Sequence, residues 1–194
     1  MIKLVVFDWN GTLLSDTTAC IAADNHVIKV FGGNPVNLKI YRDTIIIPSN
    51  NFYAAHGCSL QRLKKESKKL GEIFHSYYEE RVKKCRSRKN AKETLSFLSS
   101  KSIKSIILSN HTIKGIEYQL KRLKLEKYIF QVLANSELDT SMKERNKLEK
   151  LRKYIHKYNY NKNEVLIIGD SPEEAEIAKK LNIKSALITK GYYS

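Results

Sequence analysis

The chain has 194 residues, enough for one or two domains, and a formal net charge of +15. It has no apolar run of about 18 residues or more, which excludes a membrane-spanning helix. Its three cysteines, Cys20, Cys58 and Cys85, are odd in number and widely spaced. That excludes a disulfide framework and a cysteine metal centre, and fits a reducing cytoplasm with Cys as small buried hydrophobes.

The amino terminus runs directly into Ile2-Lys-Leu-Val-Val-Phe-Asp8-Trp-Asn10-Gly11-Thr12, with no signal-peptide pattern. Apolar and rich in β-branched residues, this segment reads as a strand buried on both faces. It stops at Asp8 and the turn-forming pair Asn10-Gly11. Asp16 then caps a helix to about Val30, with Cys20, Ala23 and Val27 at helical spacing. Further helices are predicted over 36–46 and 50–56. A long one capped by Ser59 carries the stripe Leu60, Leu63, Leu70, Phe74 and Tyr77. Residues 15–88 therefore form a helical unit inserted after the first strand, and the basic segment 83–89 leads back from it.

From there strands and helices alternate. A helix at 90–100 leads to a strand at 103–109, and Thr112 starts a helix to about Leu123. A strand follows at 129–134, then a helix from Met142 to Tyr158 capped by Ser141. The strand 164–169, a helix over 172–181 and a strand at 185–189 complete the pattern. Such alternation means right-handed crossovers and a parallel sheet, an α/β Rossmann-like core of residues 1–14 and 89–194. The lysines are spread over most helices and are not interleaved with aromatics. The charge therefore reads as a solvated surface that attracts anionic metabolites, and nucleic acid is the weaker expectation. A monomer or weak dimer is expected.

Two more strands stop at polar groups. Glu-Val-Leu-Ile-Ile-Gly169-Asp170 ends in a carboxylate before Ser171-Pro172 opens a helix. Ile103 to Leu108 ends in Ser109-Asn110. A core alone needs none of these groups, and open α/β sheets bind ligands at the carboxyl ends of their strands.

On these motifs the chain resembles the haloacid dehalogenase superfamily, in its phosphoglycolate-phosphatase-like branch, over nearly its whole length. The resemblance implies the core strand order 5-4-1-2-3 and a helical cap over the site. It implies a small phosphorylated substrate and Mg2+. Asp8 matches the nucleophile. Thr12, Ser109, Asn110 and Lys143 match phosphate-binding positions. Asp8, the Asn10 backbone carbonyl, Asp170 and Glu174 match metal-binding positions. Lys147 and Lys150 lie near Lys143 as neighbouring alternatives. His111 follows the Ser-Asn pair and is a further candidate for substrate contact. His26, His56, His75 and His156 share no metal spacing.

One departure stands out: the family's phosphatases carry an Asp where this chain has Asn10. Asn keeps the backbone carbonyl but cannot donate or take a proton, and losing a general acid–base group costs about 10²–10⁴ in rate. The expectation is a phosphatase of reduced activity. The alternative is a degenerate phosphate- or nucleic-acid-binding member of the fold. Asn10→Asp is expected to raise turnover by about one to three decades with little change in stability.

Overall fold

The computed structural model describes residues 1–193. A central strand β1 (Leu4–Phe7) is followed by a two-residue strand β2 (Leu14–Ser15). Five helices come next: α1 (Thr17–Val30), α2 (Leu38–Thr44), α3 (Ser49–Ala55), α4 (Leu60–Lys65) and α5 (Ser67–Val82). Strand β3 (Arg86–Ser87) pairs antiparallel with β2, so the chain leaves and re-enters the sheet layer side by side. Then follow α6 (Ala91–Ser100), β4 (Lys104–Thr112), α7 (Ile113–Leu123), β5 (Gln131–Asn135), α8 (Thr140–Lys143) and α9 (Lys147–Lys157). The chain closes with β6 (Val165–Gly169), α10 (Pro172–Leu181) and β7 (Lys184–Leu187).

The main sheet runs β5-β4-β1-β6-β7, with all pairs parallel. Counting the core strands alone, that is the order 5-4-1-2-3 read from the opposite edge. Successive residues of β1 point to opposite faces. Leu4 and Val6 join an apolar cluster with Ile106, Leu108, Val165 and Ile167. Val5 and Phe7 join another with Trp9, Leu95, Ile107 and Ile116. Burial of both faces is why this segment is apolar without interruption. A third cluster, built mainly from α1 to α5, includes Val27, Tyr41, Phe52, Leu63 and Leu70 and takes in Met142 of α8. No helix among the described residues is long and apolar enough to cross a membrane.

Three local departures from the sequence pattern matter for the site. The helix predicted over 142–158 is two helices, because Glu144 is extended and interrupts it. The lost helical bonds at the break are offset by side chains. Arg145 Nε donates to the Ile47 carbonyl at 2.5 Å, and Asn146 Nδ2 donates to Asn135 Oδ1 at 3.1 Å. Ser141 lies inside α8 and caps nothing. The long helix after Ser59 is likewise broken at Glu66. Asp16 precedes α1 but makes no capping bond; its carboxylate is turned inward, for reasons that appear below.

Candidate active site

In the sheet register Phe7 stands opposite Ile107 on one side and Ile168 on the other. The next residues on these strands carry the polar ends into one region, and Asp8 N donates to the Ile168 carbonyl at 2.8 Å. Asp8, Ser109, Asn110 and Asp170 all line a cavity of about 760 Å3, including its solvent-filled mouth. The opposite wall comes from the inserted helices, with Tyr41, Ile45, Ile47 and Phe74. Gly11, in the turn after β1, has φ +74°, and a Cβ there would lie 2.6 Å from Asp170 Oδ2. The loop can pass the carboxylate only without a side chain.

The cation at the centre is Lys147. Its ammonium group, 4% exposed, lies 2.8 Å from Asp8 Oδ1, 2.6 Å from Glu174 Oε1 and 3.7 Å from Glu173 Oε2. Burial opposes its charge, but these carboxylates hold it protonated well above the ordinary lysine value. Lys143 does not reach the site. It is half-exposed on α8 and pairs with Asp139 at 2.5 Å. The spacing from Ser109 favoured Lys143, four residues earlier. The break at Glu144 resets the register, and Lys147 starts the new helix facing inward.

Two other candidate residues are engaged with neighbouring groups. The Thr12 hydroxyl lies 3.2 Å from Asp8 Oδ2 and 3.0 Å from Asp170 Oδ1, and it donates within that pair. Thr12 therefore holds the two carboxylates together. Glu174 spends one oxygen on Lys147 and the other on the Ser171 amide at 3.2 Å and hydroxyl at 2.5 Å. That places it as the lysine's anchor, within the capping box of α10. The neighbouring carboxylate that lines the cavity is Glu173, which accepts from Asn110 Nδ2 at 2.8 Å. The Ser109 hydroxyl accepts from the His111 amide at 3.1 Å, which leaves its proton to donate.

Asn10 lines the cavity, but its amide is committed. Nδ2 donates to Asp16 Oδ2 at 2.7 Å and to the Tyr78 hydroxyl at 2.8 Å. Asp16 is fully buried and also accepts from Gly11 N at 2.9 Å, Tyr78 OH at 2.6 Å and Tyr192 OH at 2.8 Å. These donors explain why it does not cap α1. A sequence reading sees only Asp before a helix, and nothing in the pattern marks this role.

The site is rich in negative charge: Asp8, Asp170, Glu173 and Glu174 surround one lysine. Burial pushes the Asp8 carboxyl well above its ordinary value against the pull of Lys147, and burial also raises Asp170. Convergent hard oxygen donors with unbalanced negative charge fit a magnesium ion.

A family model for haloacid dehalogenase-like hydrolases matches residues 5–188. The chain belongs to that family. A haloacid dehalogenase-like family hydrolase from Streptococcus pneumoniae shares its fold with a TM-score of 0.78 at 19% identity, over 100% of this chain and 87% of that one. A protein described as a predicted phosphoglycolate phosphatase from Haemophilus somnus gives 0.79 at 20% identity, over 99% and 87%. Protein tyrosine kinase A of Mycobacterium tuberculosis gives 0.78 at 15% identity, over 100% and 86%. At these identities the likeness establishes the fold and leaves the reaction to the site. A comparison with curated proteins finds no match.

In this hydrolase the wall from the inserted helices holds a buried carboxylate of its own. Asp24 accepts from Tyr53 OH at 2.6 Å and Tyr41 OH at 2.8 Å and lines the cavity. Burial lifts its pKa from 3.8 to about 6 against the pull of those hydroxyls. The folded state thus keeps a proton that the unfolded state has released, so stability falls as pH rises from about 4 to about 6 and is flat above. The swing is about 2–3 kcal/mol. Urea denaturation of wild type and Asp24→Asn at the two ends of this window should show the difference between them moving in favour of the variant by that amount. Taking the difference across pH cancels any fixed cost of the substitution. Parallel pH profiles would show that Asp24 does not titrate there.

Proposed function

We propose that the chain is a magnesium-dependent phosphohydrolase that acts on a small phosphorylated metabolite through an aspartyl-phosphate on Asp8. The observation that carries this reading is the arrangement around Asp8. It stands at the end of the central strand, with Lys147 on one oxygen and the Thr12 hydroxyl, shared with Asp170, on the other. Asp8, Asp170 and the backbone carbonyl of Asn10 would hold the magnesium ion. When bound, the ion offsets negative charge on the phosphate and on the carboxylates beside it.

Phosphoryl transfer is mostly positioning and charge neutralisation. The Asp8 carboxylate attacks phosphorus, forming an oxygen–phosphorus bond as the ester bond breaks and the alcohol oxygen leaves. Lys147 supplies fixed positive charge on the same side, held in place by Glu174. The Ser109 hydroxyl donates to a phosphate oxygen. Water then attacks the phosphorus of the acyl phosphate, releases inorganic phosphate and restores Asp8. Asn10 offers no proton to the leaving oxygen, so esters of acidic alcohols should react faster than alkyl esters. The aromatic and aliphatic wall of the cavity favours an organic portion that is compact and partly apolar.

Hydrolysis of p-nitrophenyl phosphate with and without magnesium, in wild type and Asp8→Asn, tests the proposal. Turnover that requires the metal and is lost in the variant supports it. Turnover that survives Asp8→Asn overturns it.

A further inference from the structure

A second cluster of potential ligands lies where the inserted helices meet the sheet. His75 and Glu79 are four residues apart on one face of α5, and His111 is the penultimate residue of β4. One donor atom from each of the three lies within 4.8 Å of the others. His111 Nε2 is 3.3 Å from Glu79 Oε1, and the two imidazole rings stack with centroids 5.1 Å apart. The histidine spacing in the sequence gives no hint of this, because one imidazole comes from the insert and the other from the sheet.

The tautomer of His75 follows from its surroundings. Its Nε2 lies 3.2 Å from the Leu138 carbonyl, which can only accept, so the proton is on Nε2 and the lone pair on Nδ1. Burial keeps the ring neutral, with a pKa lowered to about 4. His75 is 6% exposed and His111 7%. His75 Nδ1 is buried without a hydrogen-bond partner, and His111 Nε2 has only the 3.3 Å approach of Glu79 Oε1, which is not aligned as a hydrogen bond. Buried polar atoms are nearly always satisfied, so an unpartnered imidazole nitrogen and a poorly satisfied one in a cluster with a carboxylate call for an occupant. The space beside them is maintained by Gly115. A Cβ there would fall 2.6 Å from His111 Nε2 and 3.0 Å from Glu79 Oε1.

We propose that His75 Nδ1, His111 Nε2 and the Glu79 carboxylate form a binding site for a divalent transition-metal ion of the zinc or cobalt class, separate from the carboxylate site around Asp8. Imidazole nitrogen suits these ions, whereas magnesium prefers oxygen. Three protein ligands leave a coordination position for water or substrate. The Nε2–H bond from His75 to Leu138 is the outer contact that orients a ligating imidazole. Both histidines line the main cavity. A bound ion would fasten α5 of the insert to the end of β4.

The test uses the full chain, stripped with chelator and returned to buffer with excess magnesium to saturate the carboxylate site. Cobalt(II) is then titrated by calorimetry and visible absorption. Tight binding of about one equivalent, with the strong visible bands of a four-coordinate ion, is expected. His75→Ala or His111→Ala should weaken it by more than about tenfold, the least that loss of even an outer contact costs. Asp170→Asn should leave it in place. Zinc K-edge absorption on wild-type protein gives a readout independent of whether the variants fold, and two imidazoles in the first shell are expected. An oxygen-only shell overturns the proposal. So does binding that Asp170→Asn abolishes and His75→Ala spares, or the absence of any tight equivalent in excess magnesium.

Discussion

Asp8→Asn should lower turnover of p-nitrophenyl phosphate by about 10⁴-fold or more, the scale of losing one member of a catalytic unit that works together. The fold survives, because the amide matches the carboxylate in volume and removes one of four crowded negative charges. Lys147→Ala is the companion result. On the proposed mechanism it would remove the positive charge that faces the transferring phosphoryl group, at an expected cost of about 10²–10³ in turnover. It also leaves Asp8 and Glu174 buried without their cation. Breaking a buried pair from one side costs about 3–5 kcal/mol, so the variant should also unfold at lower denaturant. Lys143→Ala serves as the control. Its partner Asp139 and its own side chain are both reachable by water, so stability should change by less than about 1 kcal/mol and turnover should not change. Steady-state rates and urea midpoints for the three variants check all of this. Equal losses in Lys143→Ala and Lys147→Ala would mean that the break after α8 does not direct Lys147 inward.

Asn10→Asp has the second large effect, and the structure changes its form. The Asn10 amide now donates to Asp16 Oδ2 at 2.7 Å. An Asp in its place would set two carboxylates against each other, and like charges raise the pKa of one partner. The folded pair would hold a proton that the unfolded chain has given up. Destabilisation is therefore present above the raised pKa and is relieved as pH falls toward the ordinary carboxylate range. At neutral pH the loss should be about 2 kcal/mol, the size of a rise of one to two pKa units. At neutral pH the new carboxylate is ionised and has no proton to give, so the single variant should gain less than about one decade in turnover, at the low end for acid–base groups. The double variant Asn10→Asp, Asp16→Asn exchanges amide and carboxylate and returns one of each to the pair. It should recover stability and gain about one to three decades on alkyl phosphates, with less on p-nitrophenyl phosphate, whose leaving group needs little protonation. A single variant as stable as wild type at every pH would show that the two side chains do not share a proton.

The sheet was legible because its signal is local. Leu4 to Phe7, Ile106 to Leu108 and Val165 to Ile168 are continuous apolar runs, each ending in a polar residue at the site. Asp8, Ser109 and Asp170 could be named for that reason, and the family resemblance supplied the strand order. What the sequence hid depends on side chains meeting across long separations. The lysine was misplaced because nothing local announces that Glu144 leaves the helix; the contacts that stabilise the break come from Ile47, Asn135 and Glu176. Asp16 looked like a cap because its partners Tyr78 and Tyr192 are 62 and 176 residues away. His75 and His111 meet only because the insert folds back onto the sheet.

The break between α8 and α9 also links two parts of the molecule. Arg145 reaches the Ile47 carbonyl in the insert and Glu176 on α10, and Lys147 begins the next helix two residues later. The arginine thus pins the insert to α10 next to the start of the helix that carries Lys147. If the insert swings away to admit substrate, the pin loses one of its two holds and the first turn of α9 is free to fray. Entry and electrostatic readiness would then alternate. The pocket would then hold its positive charge most firmly when shut, and an open pocket would be a poorer trap for phosphate and a readier exit for it.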